Sequence, residues 1–315
     1  MKVFMTGSTG VIGRRAVPRL IEASHQVTAV VRTLDKRAIL ERMGAKTVDV
    51  SLFDRGGLHD AIAGHDAVVN LATHMPSSSL RMLLRREWVE NDRIRREGSA
   101  NLVDAAIAGG VQRFVQESFA PAYPDRANAW IDESVSLQPE PYNRTIEDAE
   151  RSAGRFAGGG RSGVVVRFAA FYGPDARHVG DMIRLVRLGW APIPGDPGAF
   201  VSSIAHDDAA SAVVAALGLP AGIYNVTDDD PVSHREYVDS LAAALGVRTP
   251  RLPPPWSTFL FGSAGRLLAR SLRISNRKLR EGSDWRPKYP SVREGWRSLT
   301  ATSLSSPPFH QAPAH

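Results

Sequence analysis

Cysteine is absent from this 315-residue chain, which removes disulfides, thiolate metal sites and cysteine nucleophiles. A reducing compartment such as the cytoplasm is the expectation that follows. Lysine is scarce. Of 39 basic residues only Lys2, Lys36, Lys46, Lys278 and Lys288 are lysines, so none falls between positions 46 and 278. Long apolar runs are missing as well. The nearest, Trp256 to Ala269, is broken by Gly262, Gly265 and Arg266 and falls short of the roughly 20 residues that span a bilayer. The apolar start Val3-Phe4-Met5 is too short for a signal segment. No membrane partner and no export are expected. The histidines show neither an HExxH pattern nor paired ligand spacing, so no metal site is expected. A Gly-x-Ser-x-Gly elbow is likewise lacking. The formal charge of +6 comes from arginines interleaved with acids, as in Arg85-Arg86-Glu87 and Asp92 to Glu97. That pattern reads as solvated helix faces, not a track for nucleic acid.

What is present is an alternation of short β-branched runs with longer helical stretches, the pattern of a parallel sheet covered on both faces. Strands are expected at Lys2 to Thr6, Gln26 to Arg32, Thr47 to Val50, Ala67 to Leu71, Arg113 to Gln116 and Gly163 to Phe168. Helices are expected at Val11 to Ala23, Lys36 to Met43, Leu80 to Ala108 and Tyr142 to Phe156. After Phe168, Gly, Pro and Trp become frequent, which suggests a smaller lobe of loops and short elements. It is interrupted by a helix, His206 to Leu217, and a strand, Gly222 to Val226. The expected fold class is α/β, a Rossmann-type doubly wound parallel sheet with a smaller C-terminal substrate lobe. Residues 1–170 would form the dinucleotide-binding domain with 201–227 returning to it, residues 171–200 and 228–301 the lobe, and residues 302–315 a disordered tail.

The most specific signal is Thr6-Gly7-Ser8-Thr9-Gly10-Val11-Ile12-Gly13, which follows one expected strand and opens a helix. The first glycine permits a tight turn, the second lets backbone approach a pyrophosphate, and the third allows close packing of helix on strand. The helix N-terminus stabilises the phosphate charge, and Thr9 can add a hydroxyl donor. At the end of the second strand an NAD-preferring protein usually places an acid on the ribose 2′-hydroxyl. Here stands Arg32, with Lys36 and Arg37 close behind, which suits the 2′-phosphate of NADP(H). The alternative is NAD, with Asp35 turned inward.

With that turn in place the chain resembles the extended short-chain dehydrogenase/reductase family, the NAD-dependent epimerase/dehydratase group. The resemblance also rests on Val48-Asp49-Val50, Asn70-Leu71-Ala72, Gly98 to Ala106, Tyr172-Gly173-Pro174 and His206-Asp207-Asp208-Ala209. It implies cofactor contacts from Gly7, Thr9, Gly10, Val11, Ile12, Gly13, Arg32, Asp49, Val50, Leu71, Ala72 and Thr73, with Asp49 on the adenine amino group. Family members use a tyrosine as acid or base, a lysine four residues later and an upstream Ser or Thr. A free tyrosine has a pKa of about 10, and a neighbouring ammonium favours its phenolate.

The tyrosine corresponds to Tyr142, since Glu150 falls where the family often has an acid, and the lysine position is then Ile146. Counting back from Tyr123, the upstream hydroxyl position holds Phe119, with Ser118 the nearest substitute. Glu117 is a further candidate acid or base near the strand end. Each has a structural alternative: a packed aromatic for Tyr142, a solvent-facing carboxylate for Glu117. The expected function is an NADP(H)-dependent reductase, dehydrogenase or epimerase acting on a small carbonyl or hydroxyl compound, with Tyr172, Trp190 and Phe200 walling its pocket. A non-catalytic NADP(H)-sensing protein and a non-redox enzyme on the same fold are the alternatives. The segment Leu80 to Ala108 occupies the region where family members often build a homodimer face.

Overall fold

The computed structural model describes residues 1–76, 81–173 and 177–305. Its centre is a seven-stranded parallel sheet. The strands are β1 (Lys2–Thr6), β2 (Gln26–Val30), β3 (Lys46–Val48), β4 (Ala67–Asn70), β5 (Arg113–Phe119), β6 (Ser162–Phe168) and β7 (Gly222–Val226). They lie in the order β7-β6-β5-β4-β1-β2-β3. The chain therefore winds outward from β1 in one direction, returns at β4 and winds outward in the other. Ligands of such sheets bind beyond the carboxyl ends of the strands at this reversal.

Helices α1 (Gly13–Glu22), α2 (Leu34–Arg42), α3 (Arg55–Ile62), α4 (Ser99–Ala108), α5 (Ile146–Phe156) and α6 (His206–Ala216) cover the sheet. Because both faces are covered, β1 and β4 are apolar almost throughout rather than alternating. Val3, Met5, Ala29, Val115 and Val166 pack with Ala16, Val17 and Leu20 of α1 and Val213 of α6. On the other face Phe4, Val68, Phe114 and Val165 meet Leu58 of α3, Leu102 of α4 and Phe156 of α5. A separate core in the lobe joins Tyr172, Val179, Tyr237, Leu241 and Trp296. It is built by helices Arg177–Arg187, His234–Ala244 and Val292–Ser305. The second of these starts at a capping box made by Ser233 and Glu236. Among the described residues no helix is long and apolar enough to cross a membrane.

Several elements differ from the sequence expectation. Helix α3, capped by the Asp54 side chain on the Gly57 amide at 3.0 Å, is an addition to the expected elements. Strand β5 runs three residues further than expected, with Glu117, Ser118 and Phe119 in register with Val166, Arg167 and Phe168 of β6. The single helix expected from Leu80 to Ala108 is five pieces: 3₁₀ turns at Arg81–Leu83 and Arg85–Trp88, an α segment Val89–Arg93, a π-turn Ile94–Gly98 and then α4. Leu80 itself lies outside the described residues. The helix expected from Tyr142 begins at Ile146. Before it the chain makes tight turns, Asn143 N–H to Glu140 O at 3.0 Å and Ile146 N–H to Asn143 O at 3.2 Å. Residues 302–305, the start of the expected tail, belong to helix Val292–Ser305, and residues 306–315 lie outside the described residues.

Candidate functional site

The glycine turn sits where the topology places it, between the carboxyl ends of β1 and β4. Gly7 has φ +69°, and a Cβ there would collide with the Leu71 carbonyl at the end of β4. A Cβ on Gly13 would collide with the Gly7 carbonyl, so helix and strand close only over glycine. Gly10 differs: a Cβ there would meet only the Gly7 oxygen at 3.2 Å, so the outer side of the turn is open. Among the described residues the amides of Val11 and Ile12 make no backbone hydrogen bond, and α1 has no side-chain cap and no acid in its first turn. These are unspent donors at a positive helix end, the arrangement that accepts a phosphate.

The floor of this crevice is a buried polar network. Asn70, at the end of β4, accepts from Thr6 Oγ1 at 2.6 Å and from the Ala72 amide at 3.2 Å. Its Nδ2 donates to Gln116 Oε1 at 2.9 Å and to Ser99 Oγ at 3.2 Å. Four elements are thereby tied together under the turn. Leu71 is buried, Ala72 half-buried and Thr73 exposed beside it. On the other flank, Asp49 is exposed just past β3 and Val50 is buried. Arg32, Asp35 and Lys36 are exposed past β2, and none makes an ion pair among the described residues. Thr9 is exposed as well, beside the open outer side of the turn at Gly10.

The three candidate acid–base residues have different surroundings. Ser118 is buried, and its hydroxyl is spent on Glu150 Oε1 of α5 at 2.6 Å. Glu150 in turn closes a fork-to-fork pair with Arg167 of β6, Nε to Oε1 at 2.8 Å and Nη2 to Oε2 at 2.6 Å. Arg167 Nη1 donates to Tyr123 Oη at 2.7 Å, and Tyr123 donates to Asn225 Oδ1 at 2.9 Å. Burial pushes the Tyr123 phenol up to about 12 despite the cation beside it. Ser118 therefore belongs to a closed structural network. The solvent-facing alternative for Glu117 does not hold: its side chain is only 12% exposed, and it meets Arg95 Nη2 at 3.4 Å.

Tyr142 packs against Trp88 with ring centroids 4.9 Å apart and the ring planes tilted by 49°. Burial, followed by the Glu140 carboxylate, raises its pKa well above that of free tyrosine, against the opposing pull of Arg270 and Arg95. No lysine repairs the gap in space either. Lys278 donates to the Ile223 carbonyl at 2.8 Å, and Lys288 lies 5.3 Å from the Tyr289 ring centre. Of the expected pocket walls, Tyr172 is fully buried against Trp296, so it is core and no wall. Trp190 is half-exposed and bridged to Arg251, and Phe200 lies under Arg273. A cavity of about 260 Å³ lies on the near side of the Tyr142 turn, between Arg85, Arg96, Arg144 and Arg151, but its lining includes none of Tyr142, Ser118 and Glu117. Among the described residues no cluster of three His, Asp or Glu could hold a metal.

Sequence reasoning missed Arg167, Arg95 and the orphaned Asn143, which is buried with both amide atoms unpartnered. Arg167 had a visible signal, a lone cation inside Val164-Val165-Val166-Arg167-Phe168. Arg95 had none, being one of many arginines in its segment.

A glycine turn at the reversal point of a doubly wound parallel sheet defines the class, and a family described as NAD(P)H-binding matches residues 7–155. The chain belongs to the extended short-chain dehydrogenase/reductase family, whose fold serves NAD(P)-dependent oxidoreductases and epimerases. Over 94% of its length it is 32% identical to a 3-diazoavenalumate denitrifying reductase of a Streptomyces species, of which it covers 99%. It superposes on a human epimerase family protein solved with NADPH with TM-score 0.79 at 21% identity, covering 96% of this chain and 99% of that one. A UDP-glucose 4-epimerase from Thermus thermophilus, solved with NAD, gives TM-score 0.77 at 25% identity, with 97% and 100% covered.

Proposed function

We propose that the protein is a reductase that prefers NADP(H), works on a small carbonyl compound or a comparably electrophilic one, and uses Tyr142 as its proton donor. The bound coenzyme supplies a hydride. The amides of the glycine turn hold its pyrophosphate, Arg32 meets the 2′-phosphate, and Asp49 meets the adenine amino group. Tyr142 then delivers the proton from Oη to the substrate atom that gains charge, and the phenolate recovers a proton from water. The observation that carries the reading is a half-buried tyrosine packed on Trp88 in the turn before α5, in a stretch of sequence without lysine. Such a group carries its proton at neutral pH and so can act there as an acid but not as a base, which suits reduction better than the reverse reaction. The full-length Streptomyces relative, named as a reductase, supports the same direction.

The test follows NADPH absorbance against a panel of aldehydes, ketones and aryl diazo compounds, the last included because of that relative's substrate. Turnover of at least one class is expected, with kcat about 10²-fold lower or more in Tyr142→Phe. Tight NADPH binding without turnover across the panel would replace this reading with that of an NADP(H)-sensing protein.

A further inference from the structure

Exposed apolar side chains are ordinary when scattered over a protein surface and call for a reason when they gather. In the lobe they gather on two segments. Leu185, Leu188 and Trp190 stand at the end of helix Arg177–Arg187 and just beyond it, with Leu188 74% exposed. Trp256, Phe259 and Leu260 stand on the 3₁₀ turn Pro255–Phe261 and are 64%, 68% and 62% exposed. The Trp256 and Phe259 rings lie 6.1 Å apart, so the two side chains present one aromatic surface. Backbone joins the segments. Trp190 forms a parallel bridge with Arg251, in which Ala191 N–H donates to Arg251 O at 3.0 Å and Arg251 N–H to Gly189 O at 2.8 Å. From Arg251 the chain runs through Pro253-Pro254-Pro255 to Trp256. Five residues of extended chain reach at most about 18 Å, so Trp190 and Trp256 border one stretch of surface.

The rim of this stretch is basic and short of free acids. Arg187, Arg248 and Arg251 are exposed, and among the described residues none of them makes an ion pair. The acids of the region are engaged elsewhere: Asp239 takes Arg235 at 2.6 Å, Asp181 lies 3.8 Å from Arg184, and Asp196 accepts from the Gly198 amide at 2.8 Å. Apolar side chains flanked by uncompensated arginines make a surface that suits a lipid headgroup layer, where the apolar groups enter the acyl boundary and the cations meet phosphate. Tryptophan favours that depth, having an apolar ring and a polar N–H. The aliphatic Leu185, Leu188 and Leu260 suit acyl chains and would add nothing to stacking on nucleobases. A second copy of the chain docked face to face would set arginine against arginine.

We propose that this face of the lobe docks on the surface of an anionic lipid bilayer, with Trp190, Trp256 and Phe259 entering the headgroup layer and Arg187, Arg248 and Arg251 meeting lipid phosphates. The contact is with one leaflet, since among the described residues no helix can cross a membrane, and it departs from the sequence expectation of no membrane partner. The face is tied to the ligand-binding end of the sheet. Helix Gly262–Leu268, which follows the aromatic turn, packs on Arg81–Leu83 and on Ala120–Ala122 beyond β5. Its Arg266 binds Glu140, two residues before Tyr142, at 2.7 Å. A docked molecule therefore holds its crevice close to the layer in which sparingly soluble apolar compounds collect.

The test uses neither coenzyme nor substrate, so its outcome is independent of the reductase reading. The full-length protein is sedimented with vesicles of phosphatidylcholine alone and of phosphatidylcholine with about 30% phosphatidylglycerol. Binding is expected to the second only, and to weaken at least tenfold as salt rises from about 0.1 to about 1 M. Trp256→Ala with Phe259→Ala should lower the partition coefficient about tenfold or more. Arg187→Gln with Arg251→Gln should lower it about 25-fold, since each arginine near such a surface contributes about fivefold. These side chains are exposed, so the variants should melt with the parent. A second readout needs no truncation: lipids brominated on the acyl chain should quench the parent's tryptophan fluorescence, and Trp190→Phe with Trp256→Phe should remove most of that quenching. Absence of binding to the anionic vesicles at low salt overturns the proposal, as does quenching that survives in the double Phe variant. Self-association abolished by Trp256→Ala with Phe259→Ala, without vesicle binding, would give the face to a second copy of the chain instead.

Discussion

Arg32 stands exposed just past β2, at the rim of the crevice that the glycine turn opens, with no ion pair among the described residues to hold it. An arginine without a carboxylate partner at that place is available to an incoming phosphate, and its planar fork suits one. Asp35, in the first turn of α2, is equally exposed, so coenzyme choice comes down to which of the two side chains meets the ribose. A charge-assisted hydrogen bond contributes about 1.5–3 kcal/mol, which corresponds to roughly 10- to 100-fold in affinity. Arg32→Glu is therefore expected to weaken NADPH by that factor or more and to leave NADH nearly unchanged, as read by calorimetry with each coenzyme. Equal losses for both would put Arg32 outside the 2′-phosphate site and bring Asp35 forward. Tyr142 has a different status at this scale. The residue type and its missing lysine are legible in the chain, as is Glu140 two residues before it, whereas the burial that raises its pKa and the approach of Trp88 and Arg270 come only with folding.

Elements show where sequence patterns suffice. The strands β1, β2, β4, β6 and β7 are legible because β-branched runs bounded by turn residues have few other ways to be buried. Their ladder, with the glycine turn at the reversal, sets the cofactor end of the site almost unaided. Strand β5 is different: Gln116, Glu117 and Ser118 look like the polar end of a strand, yet they are paired with β6 and largely buried because Asn70, Arg95 and Glu150 wait for them. The helical path before α4 fails for a similar reason. Its arginine-rich sequence suits a solvated helix, and the π-turn that sends Arg95 inward has no periodic signature. The tie between β6 and α5 makes the energetic point. Arg167 and Glu150 are 5% and 12% exposed, so removing one partner strands a charge in the interior. Arg167→Met is expected to cost about 3–5 kcal/mol in urea unfolding, whereas Arg167→Met with Glu150→Leu should recover most of that loss. Recovery by the apolar pair would identify the bridge as a device of register, while a double variant as unstable as the single one would show that Tyr123 and Ser118 depend on the charges themselves.

For the whole molecule, the lobe carries a pH-dependent stability liability. His234 opens the helix His234–Ala244, is 3% exposed, and is pushed by burial to a pKa of about 4, with a backbone hydrogen bond at Asp196 and that residue's charge opposing the shift. The unfolded chain gives histidine its ordinary value of about 6.5. Above that pH neither state binds the proton. As pH falls from about 6.5 toward 4 the unfolded state takes up a proton that the folded state refuses, so folding loses up to about 3 kcal/mol across this window. Asp208 and Asp228 act in the opposite sense. Burial raises both carboxyl groups, and the folded state therefore holds protons that the unfolded state has released, which favours folding increasingly as pH falls toward about 4. The total pH dependence mixes these signs, so the histidine's share has to be isolated as a difference. Denaturation of the parent and of His234→Gln is expected to show the parent losing stability relative to the variant between pH 7 and pH 4.5, with the two curves running parallel above pH 7. A constant difference over the whole range would mean that His234 takes up its proton inside the folded lobe, and that its site is more permissive than an exposure of 3% implies.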